Sequence, residues 1–258
     1  MMTRIRQSFV WWCARANGDY TPEQLCAAAK EIGYDAMEMA APDELHFIKD
    51  AGLEISLIIG HQSLKDGMNR PENHSRICDE LAENIELAAE WGVHTLVCFS
   101  GDRYEGCSDL RGAEYTAECL AKMAPAAEKA GVMLCPELLN SKVDHAGYQC
   151  DRTAWGVHVC RMVNSPAVRV LYDIYHMQIM EGDLIRTIQD NIQWFKHFHT
   201  AGNPGRNDMD ETQEIYYPAI ARAIAELDYD GYVGHEFGPK GEDRIAAARA
   251  AFETWKVD

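Results

Sequence analysis

A single α/β domain over residues 1–258, built as a (β/α)₈ TIM barrel, is the fold this sequence predicts, and three observations carry the prediction. A phrase recurs in which a charged helical run ends at Gly and an apolar strand follows: Glu31-Ile32-Gly33-Tyr34, Asp50-Ala51-Gly52-Leu53, Glu90-Trp91-Gly92-Val93 and Lys129-Ala130-Gly131-Val132, with Tyr229-Asp230-Gly231-Tyr232 as a variant. Glycine reaches the left-handed conformation that ends a helix, so each phrase reads as the junction of a repeated βα unit. Strand-like and helix-like segments alternate strictly, and no linker, low-complexity tract or charge block interrupts them. A length near 250 residues suits one barrel, with a doubly wound open sheet as the alternative.

The expected strands are short, apolar and rich in β-branched or aromatic residues: Ile5–Val10, Ala36–Met39, Glu54–Ile59, Thr95–Phe99, Met133–Glu137, Val168–Asp173, Phe195–His199 and Tyr232–Glu236. Helices are expected at 21–32, 43–51, 73–91, 112–130, 153–164, 183–193, 215–227 and 242–255. Their amphipathic spacing shows in Leu25, Ala28, Ala29 and Ile32, and again in Ile77, Leu81, Ile85 and Ala88. Asp183 reads as a helix N-cap, and Met177, Ile179 and Met180 as core.

Charge narrows the function. The chain carries 24 Lys and Arg against 41 Asp and Glu, a net charge of −17. That balance supplies no broad electropositive footprint, so neither nucleic acid nor an anionic membrane is expected as a partner. Nine scattered cysteines without a Cys-x-x-Cys spacing argue against a disulfide framework and for a reducing, cytoplasmic setting. The first twenty residues show no secretory-signal pattern, and no window approaches the ~18 apolar residues of a membrane span. Neither a P-loop nor a Gly-x-Gly-x-x-Gly after a strand points to a nucleotide. The oligomeric state is left open, a homo-oligomer being compatible.

Four of the last strands end in a residue that binds metals: Glu137 in MLCPE, Asp173 in VRVLYD, His199 in FKHFH and Glu236 in YVGHE. In a parallel barrel the C-terminal strand ends lie on one face, the face that carries active sites. Three carboxylates and an imidazole after strongly apolar runs are expensive to bury alone, and one divalent cation offsets that penalty. The donor set suits Mn²⁺ or Mg²⁺, with Co²⁺ or Zn²⁺ compatible. His176, three residues after Asp173, and Arg206, seven after His199, are candidates to place donors on a substrate oxygen. Trp11 and Trp12 are candidates for a pocket wall, and His61, Arg103 and Asn140 fall in loops on the same face.

The segments Asp173-Ile-Tyr-His-Met-Gln-Ile-Met-Glu-Gly-Asp183, Ala201-Gly-Asn-Pro-Gly-Arg206, Tyr229-Asp-Gly-Tyr-Val-Gly-His-Glu236 and Pro136-Glu137-Leu-Leu-Asn140-Ser141 resemble the hydroxypyruvate isomerase family of xylose-isomerase-like TIM barrels. The likeness is strong from about residue 130 to 240 and architectural before that. It implies a metal-dependent isomerase of a small α-hydroxycarbonyl compound acting through an enediolate, with hydroxypyruvate to tartronate semialdehyde as the named candidate. It also implies that Glu137, Asp173, His199 and Glu236 hold the metal, that Glu137 and Glu236 form the acid/base pair, and that His176 and Arg206 touch substrate oxygens. His199 departs from the Gln common in close hydroxypyruvate isomerases and matches the ligand type of ketose 3-epimerases, whereas Val143 stands near where those carry a supporting Glu. A ketose or inositol 3-epimerase, or a keto-sugar dehydratase or lyase, on the same metal site is therefore the alternative.

Overall fold

Short strands alternate with helices through residues 3–15 and 18–257, the part of the chain that this computed structural model describes. In order the elements are β1 (Arg6–Val10), α1 (Trp11–Arg15), α2 (Pro22–Ile32), β2 (Ala36–Glu38), α3 (Leu45–Asp50), β3 (Glu54–Ile55), β4 (Ile58–Ile59), α4 (His74–Trp91) and β5 (Thr95–Cys98). They continue with α5 (Asp109–Ala130), β6 (Met133–Pro136), α6 (Thr153–Val163), β7 (Val170–Asp173), α7 (Ile174–Met180) and α8 (Leu184–Asn191). Last come β8 (Phe195–Thr200), α9 (Tyr217–Ala225), β9 (Tyr232–His235) and α10 (Arg244–Thr254). The chain divides into two compact units, the first of Met1–Ile58, Asp183–Ile192 and His197–Asp258, the second of Ile59–Gly182 and Gln193–Lys196.

In the first unit the strands run parallel in the order β3-β2-β1-β9-β8. Register is set by Val10 opposite Glu38, Ser8 opposite Gly234, and His199 opposite Gly234. Helix α2 starts where the sequence says it should. Thr21 accepts from the Gln24 N–H, the Gln24 side chain returns a bond to the Thr21 N–H, and Pro22 occupies the first turn. It ends at Gly33, whose φ of 112° is a left-handed conformation. Tyr34 then packs edge-on against Phe252 and donates its hydroxyl to Ala248 O at 2.8 Å, tying β2's entry to α10.

The second unit holds the parallel order β4-β5-β6, with β7 alongside β6 through bridges Leu134–Val168 and Glu137–Leu171. Helix α5 packs against both α4 and α6 over this sheet. The buried Tyr148 hydroxyl accepts from Ser100 N and donates to Glu137 O, both at 3.1 Å, and so ties the ends of β5 and β6 together.

The expected elements recur with instructive differences. The segment Glu54–Ile59 is two short strands: Ser56 stays bonded to the β2 backbone through Met37 O, and Ile58–Ile59 joins the order β4-β5-β6 instead. Helix α5 begins at Asp109 rather than 112, because the Ser108 hydroxyl caps it by accepting from Arg111 N. The short helices α1 and α7 are unexpected, being too brief for periodicity to reveal. Asp183 occupies an N-cap position, yet its side chain makes no capping bond and pairs with Arg186 at 3.4 Å. All nine cysteines are free.

Candidate functional site

In the first unit, alternation along the strands decides which side chains meet. Residues two apart share a face, so His197 and His199 of β8 point the same way, as do Gly234 and Glu236 at β9. His235 points to the other face, where its Nε2 lies 2.9 Å from Gln7 Oε1 and its Nδ1 2.9 Å from Thr200 Oγ1. Burial pulls its ring down to about 3, keeping it neutral. His199 Nδ1 lies 3.3 Å from Glu236 Oε2, and Arg206 Nη2 donates to the same oxygen at 2.7 Å.

Arg206 reaches that oxygen from a loop in which its own φ is +55°, a region non-glycine residues occupy only when their surroundings hold them. Gly238 N donates to Arg206 O at 2.8 Å and supplies part of that hold. Farther along the same loop, Asp210 pairs with Lys240, and Asp208 accepts from Lys240 N. The Arg206 guanidinium lies 5.9 Å from the Trp12 ring, which is 41% exposed and forms a wall beside it. Trp11 is core instead, donating its indole N–H to Glu44 at 2.6 Å.

Beneath His199 sits a residue that the sequence reading passed over. Glu38, fully buried at the end of β2, has Oε1 3.0 Å from His199 Nε2 and Oε2 2.9 Å from His197 Nε2. Ser8 and Ser56 donate their hydroxyls to Oε2 at 2.9 and 2.6 Å. Burial pushes this carboxyl up, but His197 and His199 outweigh it and hold it well below the usual carboxylate range. A Glu closing the short segment Ala36-Met37-Glu38 was the available signal.

In the second unit, Glu137 follows β6 and Asp173 ends β7, and the Glu137–Leu171 bridge places these strand ends side by side. Asp173 Oδ1 also caps α7 by accepting from His176 N at 3.0 Å, so one side chain ends the strand and starts the helix. His176 is buried with Nε2 3.5 Å from Asp173 Oδ2. Its Nδ1 lies 2.6 Å from Asn140 Nδ2. Asn140 Oδ1 accepts from Val143 N and Asp144 N at 3.0 and 2.9 Å, which fixes the orientation of the amide. An amide nitrogen only donates, so His176 accepts at Nδ1 and carries its proton on Nε2.

That places Asn140 on His176. Two other loop candidates are structural in the same way. Arg103 is clamped by Asp109 and Asp151, with N–O distances from 2.8 to 3.4 Å. His61 is buried and accepts Phe99 N at 2.9 Å through Nε2.

Glu137, Asp173, His199 and Glu236 are thus all buried at C-terminal strand ends, oxygen-rich side chains of the kind that can hold a metal ion. The model of the xylose isomerase-like TIM barrel family matches residues 26–256. The chain belongs to that family. This member's fold class is therefore the α/β TIM barrel that the sequence predicts. It is 35% identical over 123 residues to 2-oxo-tetronate isomerase of Cupriavidus necator, covering 48% of this chain and 46% of the relative. It is 29% identical over 170 residues to hydroxypyruvate isomerase of Escherichia coli, covering 66% of this chain and 65% of the relative. The matches span about half to two thirds of these curated relatives' lengths. Among solved structures it resembles a family 2 AP endonuclease from Brucella melitensis, with a TM-score of 0.80, 25% identity and coverage of 94% and 96%. It also resembles 3-keto-D-glucoside 4-epimerase from E. coli, with a TM-score of 0.78, 20% identity and coverage of 97% and 98%.

Proposed function

We propose that this family member is a metal-dependent isomerase of a small α-hydroxycarbonyl acid, with hydroxypyruvate to tartronate semialdehyde as the leading reaction. On this reading residues 1–258 act as one barrel domain, and Glu137, Asp173, His199 and Glu236 hold one divalent ion. The observation that supports it is the pairing of buried side chains at adjacent strand ends, Glu137 with Asp173 and His199 with Glu236, with His176 beside Asp173 and Arg206 bonded to Glu236. The relatives named hydroxypyruvate isomerase and 2-oxo-tetronate isomerase supply the substrate class.

When bound, the ion would polarise the carbonyl and the neighbouring hydroxyl and so acidify the C–H between them. The chain's own residues do the rest. Glu137 or Glu236 takes the proton from the hydroxymethyl carbon and returns it to the former carbonyl carbon, while the hydroxyl proton passes from one oxygen to the other. No atom is gained or lost. His176 offers its Nε2–H to the oxygen on which charge develops, and Arg206 offers a charge-assisted donor. The substrate carboxylate must approach a chain of charge −17, and since Arg103 is taken by two aspartates, Arg206 is the cation that favours its approach.

The test is metal analysis of the purified protein together with NMR in D₂O containing Mn²⁺-loaded enzyme and, separately, hydroxypyruvate, 2-oxo-tetronate, ketoses and 3-keto-glycosides. We expect one equivalent of metal, with exchange and isomerisation in the 2-oxo acids. Turnover confined to ketoses or keto-glycosides would move the assignment to epimerase or lyase chemistry on the same residues. Absence of both metal and exchange would remove the reading altogether.

A further inference from the structure

An imidazole ligates a metal through a nitrogen that bears a lone pair, and the bond made by its other nitrogen decides which one that is. For His199 the deciding partner is Glu38. An ionised carboxylate only accepts hydrogen bonds. Three donors meet this one, the Ser8 and Ser56 hydroxyls at Oε2 and His199 Nε2 at Oε1, while the His197 ring lies close by without a hydrogen bond to it. With the proton of His199 on Nε2, the lone pair sits on Nδ1, on the side where Glu236 Oε2 lies 3.3 Å away. Two acceptors face each other across that gap, an arrangement that suits a cation between them.

The backbone keeps this path open. Gly234 stands opposite both Ser8 and His199 in the parallel register. A Cβ there would come within 2.0 Å of Glu38 Oε1 and 3.0 Å of His199 Cδ2. Any side chain at 234 would displace the carboxylate from the ring. The strand therefore lacks a side chain at the one place where Glu38 must reach across to His199.

We propose that Glu38 is a positioning residue that fixes the tautomer of His199, holding its Nε2–H so that Nδ1 is presented to the divalent ion. The proposal rests on the metal-site reading above. It gives a role to a residue on the Nε2 side of the His199 ring, away from Glu236, and it differs from a purely structural role for a buried polar network. A structural Glu38 would change stability when altered and leave the tautomer and the metal affinity alone.

Protein labelled with ¹⁵N-histidine and stripped of metal gives the first readout. The ring signals of His199, assigned by their loss in His199→Asn, should show a proton on Nε2 and none on Nδ1. Titration calorimetry with Mn²⁺ gives the second. Glu38→Gln keeps the shape and removes the charge, and should weaken the dissociation constant about 10-fold or more, as expected for the outer partner of a ligating histidine. Gly234→Ala should weaken it in the same sense with Glu38 still present. A wild-type ring protonated on Nδ1 would overturn the proposal, as would unchanged Mn²⁺ affinity in both folded variants. If Glu38→Gln does not fold, the wild-type spectrum and Gly234→Ala decide. A wild-type protein that binds no divalent ion, yet shows the Nε2–H tautomer, would sink the metal reading and leave Glu38's control of the ring standing.

Discussion

Two buried histidines, one in each unit, are held by partners of opposite hydrogen-bonding sense. His199 meets the carboxylate of Glu38, an acceptor, so its outward-facing nitrogen carries a lone pair. His176 meets the amide nitrogen of Asn140, a donor, so its outward-facing nitrogen carries a proton. On the proposed function, the same side chain would thereby serve two tasks, ligation by His199 and donation to a developing oxyanion by His176. The neighbours teach the same lesson. Ser8 and Ser56 hold Glu38 through Oε2 and leave Oε1 to His199, whereas Val143 N and Asp144 N lock the Asn140 amide. Chemistry at each position follows from what stands behind the ring.

The strongest challenge to this division of labour comes from the glutamates that would move the proton. Glu137→Gln and Glu236→Gln each keep an oxygen donor and remove a base, and each should lower turnover about 10³-fold while some metal stays bound. Parallel assays of turnover and metal content check this. Full turnover in both variants would break the proposed acid/base assignment.

Arg206→Ala comes next. It should lower kcat/KM by about 10²-fold with metal content near wild type, as expected for loss of a charge-assisted donor to the transition state. Equal loss of metal would instead make Arg206 part of the frame around Glu236. Because Arg206 bonds Glu236 Oε2 directly, metal content is the reading that separates the two.

A third histidine sharpens the comparison through pH. The ring of His61 accepts from Phe99 N, and burial outweighs the nearby Glu80 carboxylate and pulls it from 6.5 down to about 4. The unfolded chain therefore takes up a proton below about pH 6.5 that the native state refuses, so this contribution is intact above that pH and is lost as pH falls toward 4. Between pH 7 and pH 5 the loss should be about 2 kcal/mol. Urea unfolding at the two pH values should show His61→Gln losing less stability on acidification than wild type by about that amount. Equal losses would mean that His61 titrates normally in the folded protein.

Asn140→Leu should have the smallest effect, about a 10-fold fall in kcat, from losing one hydrogen bond's hold on a ring that still sits in its cavity. The ¹⁵N spectrum of His176 should then show both tautomers where wild type shows the Nε2–H form alone. An unchanged spectrum would return Asn140 to a purely local role in its loop.

Much of the frame is legible in the order of residues. Gly33, Gly52, Gly92 and Gly131 all take the left-handed backbone the repeated phrase requires, and the helices they close lie within a few residues of the expected bounds. Gly231 is absent from that set: α9 ends earlier, at Ala225, and the chain turns before reaching it. The ends of the apolar runs also marked Glu137, Asp173, His199 and Glu236, which stand within one residue of the C-terminal ends of β6, β7, β8 and β9. These features are periodic or local, and a linear sequence records them directly.

Partnership across the sheet is a different kind of information. Glu38 lies 161 positions from His199 in the chain, and Asn140 lies 36 from His176. Nothing in the spacing of either pair says that one is the other's acceptor or donor. Arg103 and His61 likewise sit where a substrate residue would sit, and only their neighbours, two aspartates and a backbone N–H, show that they are occupied. The sequence by itself determined which residue types stand at the strand ends, because helix and strand periods are written in the order of residues. Tertiary structure alone decided what those residues are bonded to, because a hydrogen bond depends on the distance and direction between groups that folding brings together.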